Sequence, residues 1–376
     1  MHRLILAGGG HAHLSVLHAL ANNRANSNVT MITPSAYQIY SGMLPGWMAG
    51  HYSLSDCHID LRPLAKAAGV KLILGQVTGM DANRSCITLS DGTIYEYDLL
   101  SLDVGGETDL SRLKTLGDSL LPIKPLGQFV KRWQEIITDA TSRDHYSLAV
   151  VGGGATGMEI ALAARYALSK SAPSATVTLI SSKNGILPGH APTVIFRARK
   201  LLKQRGIILH EAHAVGVGDD VLLSNGQQVH ANTLIASTGS TPPCWLKASN
   251  LELDAHGYIN VDAHHRSLSH PNIFAAGDVC ARTDTVMARS GVHAVFAGPV
   301  LANNLLASTQ GQPLQSYSPR KKSLYLLATG PKHAIASWGR FSAQGHWVWQ
   351  WKNWIDRGFI NKHRLTPDKA LTTDKP

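Results

Sequence analysis

Two glycine-rich turns are the parts of this chain whose residue types and spacing point most directly to chemistry. The first, at residues 8–13, reads Gly-Gly-Gly-His-Ala-His and follows an apolar run at 4–7. The second, at residues 152–157, reads Gly-Gly-Gly-Ala-Thr-Gly and follows an apolar run at 148–151. A glycine turn between a strand and a helix lets the backbone approach a pyrophosphate, which the helix N-terminus then stabilises. Two such turns in one chain predict two nucleotides brought together for electron transfer.

The first turn departs from the usual pattern at its last position. Gly8 permits the tight bend, and Gly10 lets the backbone reach the phosphates. His13 stands where a third glycine is expected. Two interpretations of its side chain stay open: it packs between helix and strand, or it points towards the ligand. The acid that would bind ribose hydroxyls is also missing at the end of the second strand, where Thr33 offers a single hydrogen bond.

The second turn is complete, with Gly152, Gly154 and Gly157 in place and Glu159 two residues further on. Glu159 is assigned to the nicotinamide nucleotide together with these glycines. Its second strand, at 176–180, also ends without an acid, and Lys183 follows it. A missing carboxylate removes the repulsion against a 2′-phosphate, and a lysine would attract one. NADPH therefore stays open beside NADH. The alternative is that Lys183 is a solvated loop residue.

A third stretch, residues 272–279, reads Asn-Ile-Phe-Ala-Ala-Gly-Asp-Val. In flavoproteins with two nucleotide sites, a carboxylate in this position binds the ribitol hydroxyls of the flavin, which assigns Gly277 and Asp278 to that cofactor. The alternative is a turn or helix-capping role for Asp278. Residues 290–292, Ser-Gly-Val, start the next predicted helix, at about 291–307. Its N-terminus, at Val292, would stabilise negative charge on the flavin.

Composition limits the other classes of function. The chain has 376 residues with 44% hydrophobic and 16% charged residues, which is typical of a globular protein of two or three domains. The net charge of +10 suits anionic cofactors or an anionic membrane surface, whereas no nucleic-acid-binding motif accompanies it. Four cysteines form no Cys-x-x-Cys pair, which predicts no metal site and favours a reducing, cytoplasmic compartment.

The order of the predicted elements repeats. Strand–helix–strand units begin at residue 3 and again at 147, and each is followed by further strands. This repetition predicts an α/β fold with two Rossmann-like dinucleotide-binding domains, the second inserted in the first, plus a small C-terminal segment.

Three further stretches, at residues 40–46, 97–103 and 351–357, bear on the family that the chain resembles. Over about residues 1–325 the chain resembles the pyridine nucleotide–disulfide oxidoreductase superfamily. Within it, these stretches resemble type II NADH dehydrogenases, in particular the subgroup associated with selenide, water dikinase. The resemblance implies a glutathione reductase-like fold with FAD at the first site and NAD(P)H at the second.

The resemblance also implies domains and contacts. The FAD-binding domain would comprise residues 1–120 and 246–322, the NAD(P)H-binding domain 121–245, and an interface segment 323–376. Gly8, Gly10 and Asp278 would contact FAD, and Tyr40 and Lys124 would lie near its isoalloxazine. The residues that would contact the nicotinamide nucleotide are Gly152, Gly154, Gly157 and Gly239. The Cys-x4-Cys pair of the disulfide members is missing from this chain.

The implied activity is that of an FAD-dependent NAD(P)H dehydrogenase. A hydride passes from NAD(P)H to flavin N5, and the electrons pass on to an external acceptor, with a quinone favoured. Ala297 stands where relatives tend to carry a glutamine or acid, which argues against a quinone. The alternatives are a flavoprotein reductase in selenium or sulfur metabolism and a flavin-binding regulatory protein with little turnover.

The segment from about 323 differs in composition from the rest. Strand-like runs at 323–328 and 333–338 precede Trp347, Trp349, Trp351 and Trp354. The first three alternate, which predicts one face of a strand. Tryptophans beside cations suit peripheral contact with the inner face of the cytoplasmic membrane, whereas the alternative is that they close a core or a homodimer interface. The polar residues from Leu365 onwards are predicted to fray.

Overall fold

The computed structural model describes residues 2–23, 27–285, 287, 291–320 and 322–364. Ser290, at the start of the helix predicted over 291–307, lies outside these residues. The tail that was predicted to fray from Leu365 also lies outside them.

The first part of the chain carries ten strands and three helices among its described residues. The strands are β1 (His2–Ala7), β2 (Ser27–Thr33), β3 (Tyr37–Ile39), β4 (His58–Asp60), β5 (Lys71–Leu74), β6 (Val77–Asp81), β7 (Cys86–Leu89), β8 (Ile94–Glu96), β9 (Leu99–Leu102) and β10 (Glu107–Thr108). The helices are α1 (His11–Asn22), α2 (Leu44–Met48) and α3 (Leu61–Ala67).

The middle part repeats this plan in shorter form. Its strands are β11 (Leu120–Pro122), β12 (Ser147–Val151), β13 (Thr176–Ser181), β14 (Ile208–Glu211), β15 (Ala214–Val217), β16 (Asp220–Leu223), β17 (Gln228–Val229) and β18 (Thr233–Ala236). Its helices are α4 (Leu126–Thr141), α5 (Ala155–Ser171) and α6 (Pro192–Gln204).

The last part returns to the first and then adds a C-terminal unit. The strands are β19 (Ser240–Thr241), β20 (Ile259–Val261), β21 (Ile273–Ala275), β22 (Cys280–Arg282), β23 (Leu324–Ala328), β24 (Ala334–Trp338) and β25 (Phe341–Gly345). The helices are α7 (Gly291–Thr309) and α8 (His346–His363).

Two parallel five-stranded sheets have the same arrangement. The first has the order β21-β9-β1-β2-β5, and the second has the order β11-β18-β12-β13-β14. In each sheet the central strand leads into a glycine turn and a helix, and the next strand of the chain pairs beside it. A three-stranded antiparallel sheet follows the outermost strand in both, β6-β7-β8 in one case and β15-β16-β17 in the other.

This duplication confirms the predicted α/β class with two Rossmann-like domains. The strands of the first sheet come from both sides of the second in sequence, so the second is inserted in the first. Both sheets are covered on their faces, which explains why their central strands read as continuous apolar runs. The domain boundaries at 120, 245 and 322 stay predictions.

The C-terminal unit is a three-stranded antiparallel sheet, β23-β24-β25, with α8 packed against it. The buried residues of α8 recur about every four positions and include Val348, Lys352, Asp356 and Ile360. The Lys352 ammonium donates to the Asp356 carboxylate over 2.8 Å and to the Gly42 carbonyl over 2.7 Å. Helix α8 is therefore bound to the first domain through its own buried face.

The predicted strand face at Trp347, Trp349 and Trp351 is wrong, because all three residues lie on α8. The alternation of tryptophans suggested a period of two, but the buried set has the helical period. Lys352 and Asp356 pair four residues apart, which is the spacing of neighbours on one helix face. Trp349 packs against the core, whereas Trp347 and Trp354 are 54% and 74% exposed.

No helix within the described residues combines the length and the apolar character needed to cross a bilayer.

Replacing Asp356 with Asn should destabilise the protein by about 3 kcal/mol, because it leaves the Lys352 ammonium buried without its partner. Chemical denaturation of the holoprotein measures this. The matched control is Asp139→Asn, which breaks an exposed pair with Arg143 at the same i,i+4 spacing and should leave stability nearly unchanged. Equal changes in the free energy of unfolding would show that the buried pair stabilises the protein no more than the exposed pair does.

Candidate functional site

Asp103 occupies the centre of the first glycine turn. Its Oδ2 atom accepts hydrogen bonds from the backbone N–H groups of Ala12 at 2.8 Å and His13 at 3.1 Å, at the start of α1. A Cβ atom at Gly10 would lie 2.2 Å from Cγ of Asp103, and one at Gly277 would lie 2.8 Å from its Oδ1 atom. These two glycines therefore make room for the Asp103 carboxylate.

The sequence did not predict this role of Asp103. Its signal is an acid directly after the fully buried strand β9, at the carboxyl edge of the sheet. Two of the α1 amides that were expected to face a pyrophosphate are instead bonded to Asp103. Burial raises the pKa of Asp103 to about 6, although the two amides and His11 counteract it.

Asp278 and Lys124 form an ion pair beside this turn. Lys124 lies at the start of the second domain, and its ammonium also reaches Ser240 Oγ at 3.5 Å. The Oδ1 atom of Asp278 is buried and has no hydrogen-bond partner among the described residues. The structure thus brings Gly277, Asp278 and Lys124 together and leaves one carboxylate oxygen available to a polar ligand.

His11 and two aromatic rings form a wall next to the start of α1. The Tyr40 ring stacks on Phe359 of α8 with a centroid distance of 4.4 Å, and His11 packs against both. The His11 Nε2 atom is buried without a partner among the described residues. Burial lowers the pKa of His11, although attraction by Asp103 opposes the shift. His11 and Phe359 were not predicted as site residues.

Helix α7 begins next to the same wall. A Cβ atom at Gly291, the first residue of α7, would lie 3.7 Å from Ser41 Oγ and 4.0 Å from His11 Cε1. Val292 follows it and is partly exposed. The N-termini of α1 and α7 therefore lie close together, as expected if both face one cofactor.

His13 and Thr33 use their polar groups within the protein. The His13 ring is fully buried, with Nδ1 2.6 Å from the Gly8 carbonyl and Nε2 2.8 Å from Ser101 Oγ. Burial lowers the pKa of His13 to about 4. Of the two interpretations left open, this geometry favours packing between α1 and the sheet. The Thr33 hydroxyl donates to the Ser35 carbonyl at 3.2 Å.

In the second turn, the glycines serve two different purposes. A Cβ atom at Gly152 would lie 2.1 Å from the Ser237 carbonyl oxygen, and one at Gly157 would lie 1.8 Å from the Gly152 carbonyl oxygen. A Cβ atom at Gly154 or Gly239 would meet no protein atom within 4 Å. Gly152 and Gly157 therefore allow the backbone to pack, whereas Gly154 keeps space open at the N-terminus of α5. Lys183 is exposed just after β13.

Glu159 is oriented towards the C-terminal unit. Its Oε1 atom accepts a hydrogen bond from the Ala328 N–H group of β23 at 2.7 Å. Burial raises the pKa of Glu159 to about 7, the nearby Lys352 opposes the shift, and Asp356 adds to it. The carboxylate is thus bonded within the protein, and its contact with a nicotinamide nucleotide stays a prediction.

Glu159, Lys352, Asp356 and Tyr40 form one buried acid–base cluster. Burial opposes the charge of Lys352, but attraction by Asp356 and Glu159 outweighs it and raises the pKa of the ammonium. Burial raises the pKa of Asp356, which interacts with both Lys352 and Tyr40. Burial likewise raises the pKa of Tyr40. The cluster joins helices α5 and α8 to the aromatic wall at the first turn.

None of the four cysteines forms a disulfide. Within the part of the chain that the structure describes, no group of three or more His, Cys, Asp or Glu side chains could hold a metal ion.

Gly154→Ala should weaken binding of the nicotinamide nucleotide by at least about tenfold, because its methyl group enters space that only a ligand would fill. The melting temperature should stay unchanged, since the added atom meets no protein atom. Gly157→Ala is the contrasting variant and should lower the melting temperature, because its Cβ atom collides with backbone. Normal nucleotide binding by Gly154→Ala would show that the second site is misassigned.

Comparison with known proteins extends these observations. A family model described as pyridine nucleotide-disulphide oxidoreductase matches residues 2–298. The chain is 23% identical over 284 residues to the NADH dehydrogenase-like protein YutJ of Bacillus subtilis, covering 75% of this chain and 77% of that protein. It is 24% identical over 392 residues to the type II NADH:quinone oxidoreductase NdhA of Mycobacterium tuberculosis, covering 93% of this chain and 81% of that protein. Its fold matches that of NDH2 from Plasmodium falciparum, solved in complex with NADH, with a TM-score of 0.82 at 14% identity. The match covers 96% of this chain and 97% of that chain.

The residues of both sites fit the two cofactors of this family. The unpartnered Asp278 Oδ1 and His11 Nε2 atoms suit the polar groups of FAD, and the open space at Gly154 suits the phosphates of NAD(P)H. The predicted superfamily, enzyme class and cofactors are confirmed, whereas the link to selenide, water dikinase stays a prediction. The chain belongs to the pyridine nucleotide-disulphide oxidoreductase family and is an FAD-dependent NAD(P)H oxidoreductase similar to type II NADH dehydrogenases.

Proposed function

We propose that this protein oxidises NAD(P)H and reduces a quinone at a membrane surface. The observation that carries the proposal is the buried cluster of Glu159, Lys352, Asp356 and Tyr40, which connects the two domains and the C-terminal unit. The similarity to a protein named type II NADH:quinone oxidoreductase over 93% of this chain supports the choice of acceptor.

FAD, when bound, takes two electrons from NAD(P)H and passes them on, so the protein has to supply binding, orientation and protons. At the first site, Asp278, Lys124 and the N-terminus of α1 would hold FAD. At the second site, Gly154 and Gly239 would let the nicotinamide nucleotide approach the backbone. Tyr40 would lie at the isoalloxazine, because its ring faces His11 beside the first turn.

The reduction of a quinone needs a proton that the nucleotide does not supply. In the balanced reaction, NAD(P)H, one proton and the quinone give NAD(P)⁺ and the quinol. Glu159 can hold this proton because its pKa is about 7. Lys352 and Asp356 lie between Glu159 and Tyr40, so the cluster offers ionisable groups from the second domain to the aromatic wall.

Two exposed tryptophans, Trp347 and Trp354, and the half-buried Trp351 give the C-terminal unit an apolar stripe. Trp347, Trp351 and Trp354 stand four and three residues apart, which puts them on one face of α8. Arg357 follows Trp354 by about one turn and is exposed. Indole rings beside cations suit the headgroup region of an anionic membrane, where a quinone would be found. A homodimer stays a prediction.

The acceptor can be assigned by anaerobic reduction of the holoprotein with NADH or NADPH, followed by mixing with different oxidants. We expect fast reoxidation of the flavin by a soluble quinone and slow reoxidation by sulfur and selenium compounds. The reverse order would assign the protein to selenium or sulfur metabolism instead. Failure of both nucleotides to reduce the flavin would point to a binding protein with little turnover.

Glu159→Gln should slow reoxidation by quinone at least about tenfold, because Gln cannot release a proton. In the wild type this rate should fall as pH rises through about 7, since Glu159 then loses its proton. In the variant the rate should not depend on pH in that range. Reduction by the nucleotide should stay within about twofold in stopped-flow measurements. Glu135→Gln, at an exposed position of α4, is the control; a variant profile that keeps the wild-type shape would contradict the role of Glu159.

Replacing Trp347 and Trp354 together with Ser should reduce binding to vesicles of anionic lipid by at least about threefold, because both rings lose their place among the headgroups. Sedimentation with vesicles measures the bound fraction. Phe196→Ser is the control, since this exposed aromatic residue lies on α6 of the second domain. Equal binding of the wild type and the double variant would refute the membrane contact.

A further inference from the structure

The second domain has a carboxylate near the place where the ribose-binding acid is missing. Strand β13 ends at Ser181 without an acid, but Glu211 ends the neighbouring strand β14. The two residues are direct partners in the parallel pairing of these strands. Glu211 therefore reaches the carboxyl edge of the sheet one strand further out than usual, on the edge where nucleotides bind in such folds.

Glu211 lies against the loop that follows β13. A Cβ atom at Gly185 would lie 2.9 Å from Glu211 Oε1 and 3.3 Å from Arg199 Nη2. The Arg199 guanidinium of α6 donates to the same carboxylate oxygen at 2.5 Å. Both charged groups are thus held at the backbone of this loop.

The loop is itself bonded to the glycine turn. The Leu187 N–H group donates to the Gly153 carbonyl at 2.7 Å, and the Gly185 N–H group donates to the Ser182 carbonyl at 2.9 Å. The Glu211–Arg199 pair is therefore held in a defined position relative to the turn that would bind the pyrophosphate. The adenosine ribose of a dinucleotide on that turn would lie near the end of β13.

We propose that Glu211, oriented by Arg199, is the residue that selects NADH over NADPH. The carboxylate would accept hydrogen bonds from the ribose hydroxyls of NADH and repel the 2′-phosphate of NADPH. Lys183, the cation predicted to attract that phosphate, is exposed on the same loop and is not the deciding group. This inference rests on the proposed oxidation of NAD(P)H and specifies its substrate.

The test measures both nucleotides against the holoprotein and its variants. Calorimetry gives the affinities for NAD⁺ and NADP⁺, and anaerobic stopped-flow mixing gives the rates of flavin reduction by NADH and NADPH. The wild type should prefer the nucleotide without the 2′-phosphate by about tenfold or more. Glu211→Gln should reduce that preference by about tenfold, because it removes the charge and frees Arg199. Glu211→Asp, which keeps the charge, should retain a preference for NADH.

Two control variants separate this role from a merely structural one. Asp139→Asn breaks another arginine–carboxylate pair of the same domain, on α4, and Lys183→Ala removes the competing cation. Both should leave the preference unchanged. An unchanged preference in Glu211→Gln, or a wild type that prefers NADPH, would overturn the inference while the proposed function stands. Failure of the wild type to bind or oxidise either nucleotide would overturn both.

Discussion

The buried ammonium group of Lys352 is the constraint on which the arrangement of the molecule depends. It donates to the Gly42 carbonyl of the first domain and to Asp356 of its own helix, and Glu159 of the second domain attracts it. A charge removed from water is costly unless partners surround it, so these groups have to stay together. For this reason helix α8 packs against both domains as part of the folded structure.

In the proposed reduction of a quinone, the same constraint places acids where a proton would be needed. Burial raises the pKa of Glu159 to about 7, although the Lys352 ammonium opposes this shift. Tyr40 extends the cluster to the wall formed with His11 and Phe359. In the proposed mode of binding, the glycine turns would bring two nucleotides to the carboxyl edges of the duplicated sheets, and the cluster would lie between the elements that hold them. Burial between the domains and the C-terminal unit therefore sets the pKa of Glu159, the proposed proton donor.

Much of the fold could be predicted from the sequence because its signals are local. The glycine turns, the apolar strands before them and the repeated order of elements each occupy a few consecutive residues. The alternating tryptophans led to the wrong prediction of a strand. The signal for a helix was the pair of Lys352 and Asp356, which stand four residues apart. Asp103 and Glu211 were missed because their positions depend on strands that are adjacent in a sheet but distant in the sequence. His13 could be named but not interpreted, because its partner Ser101 lies on β9.

One chain is expected to bind FAD and a nicotinamide nucleotide so that electrons pass between them. An anaerobic titration of the purified holoprotein with NADH, followed through the visible absorbance of the flavin, tests it most directly. We expect one FAD per chain and complete bleaching by about one equivalent of nucleotide. A colourless protein that takes up no FAD on reconstitution, or a flavin that keeps its absorbance in excess NADH and NADPH, would contradict it.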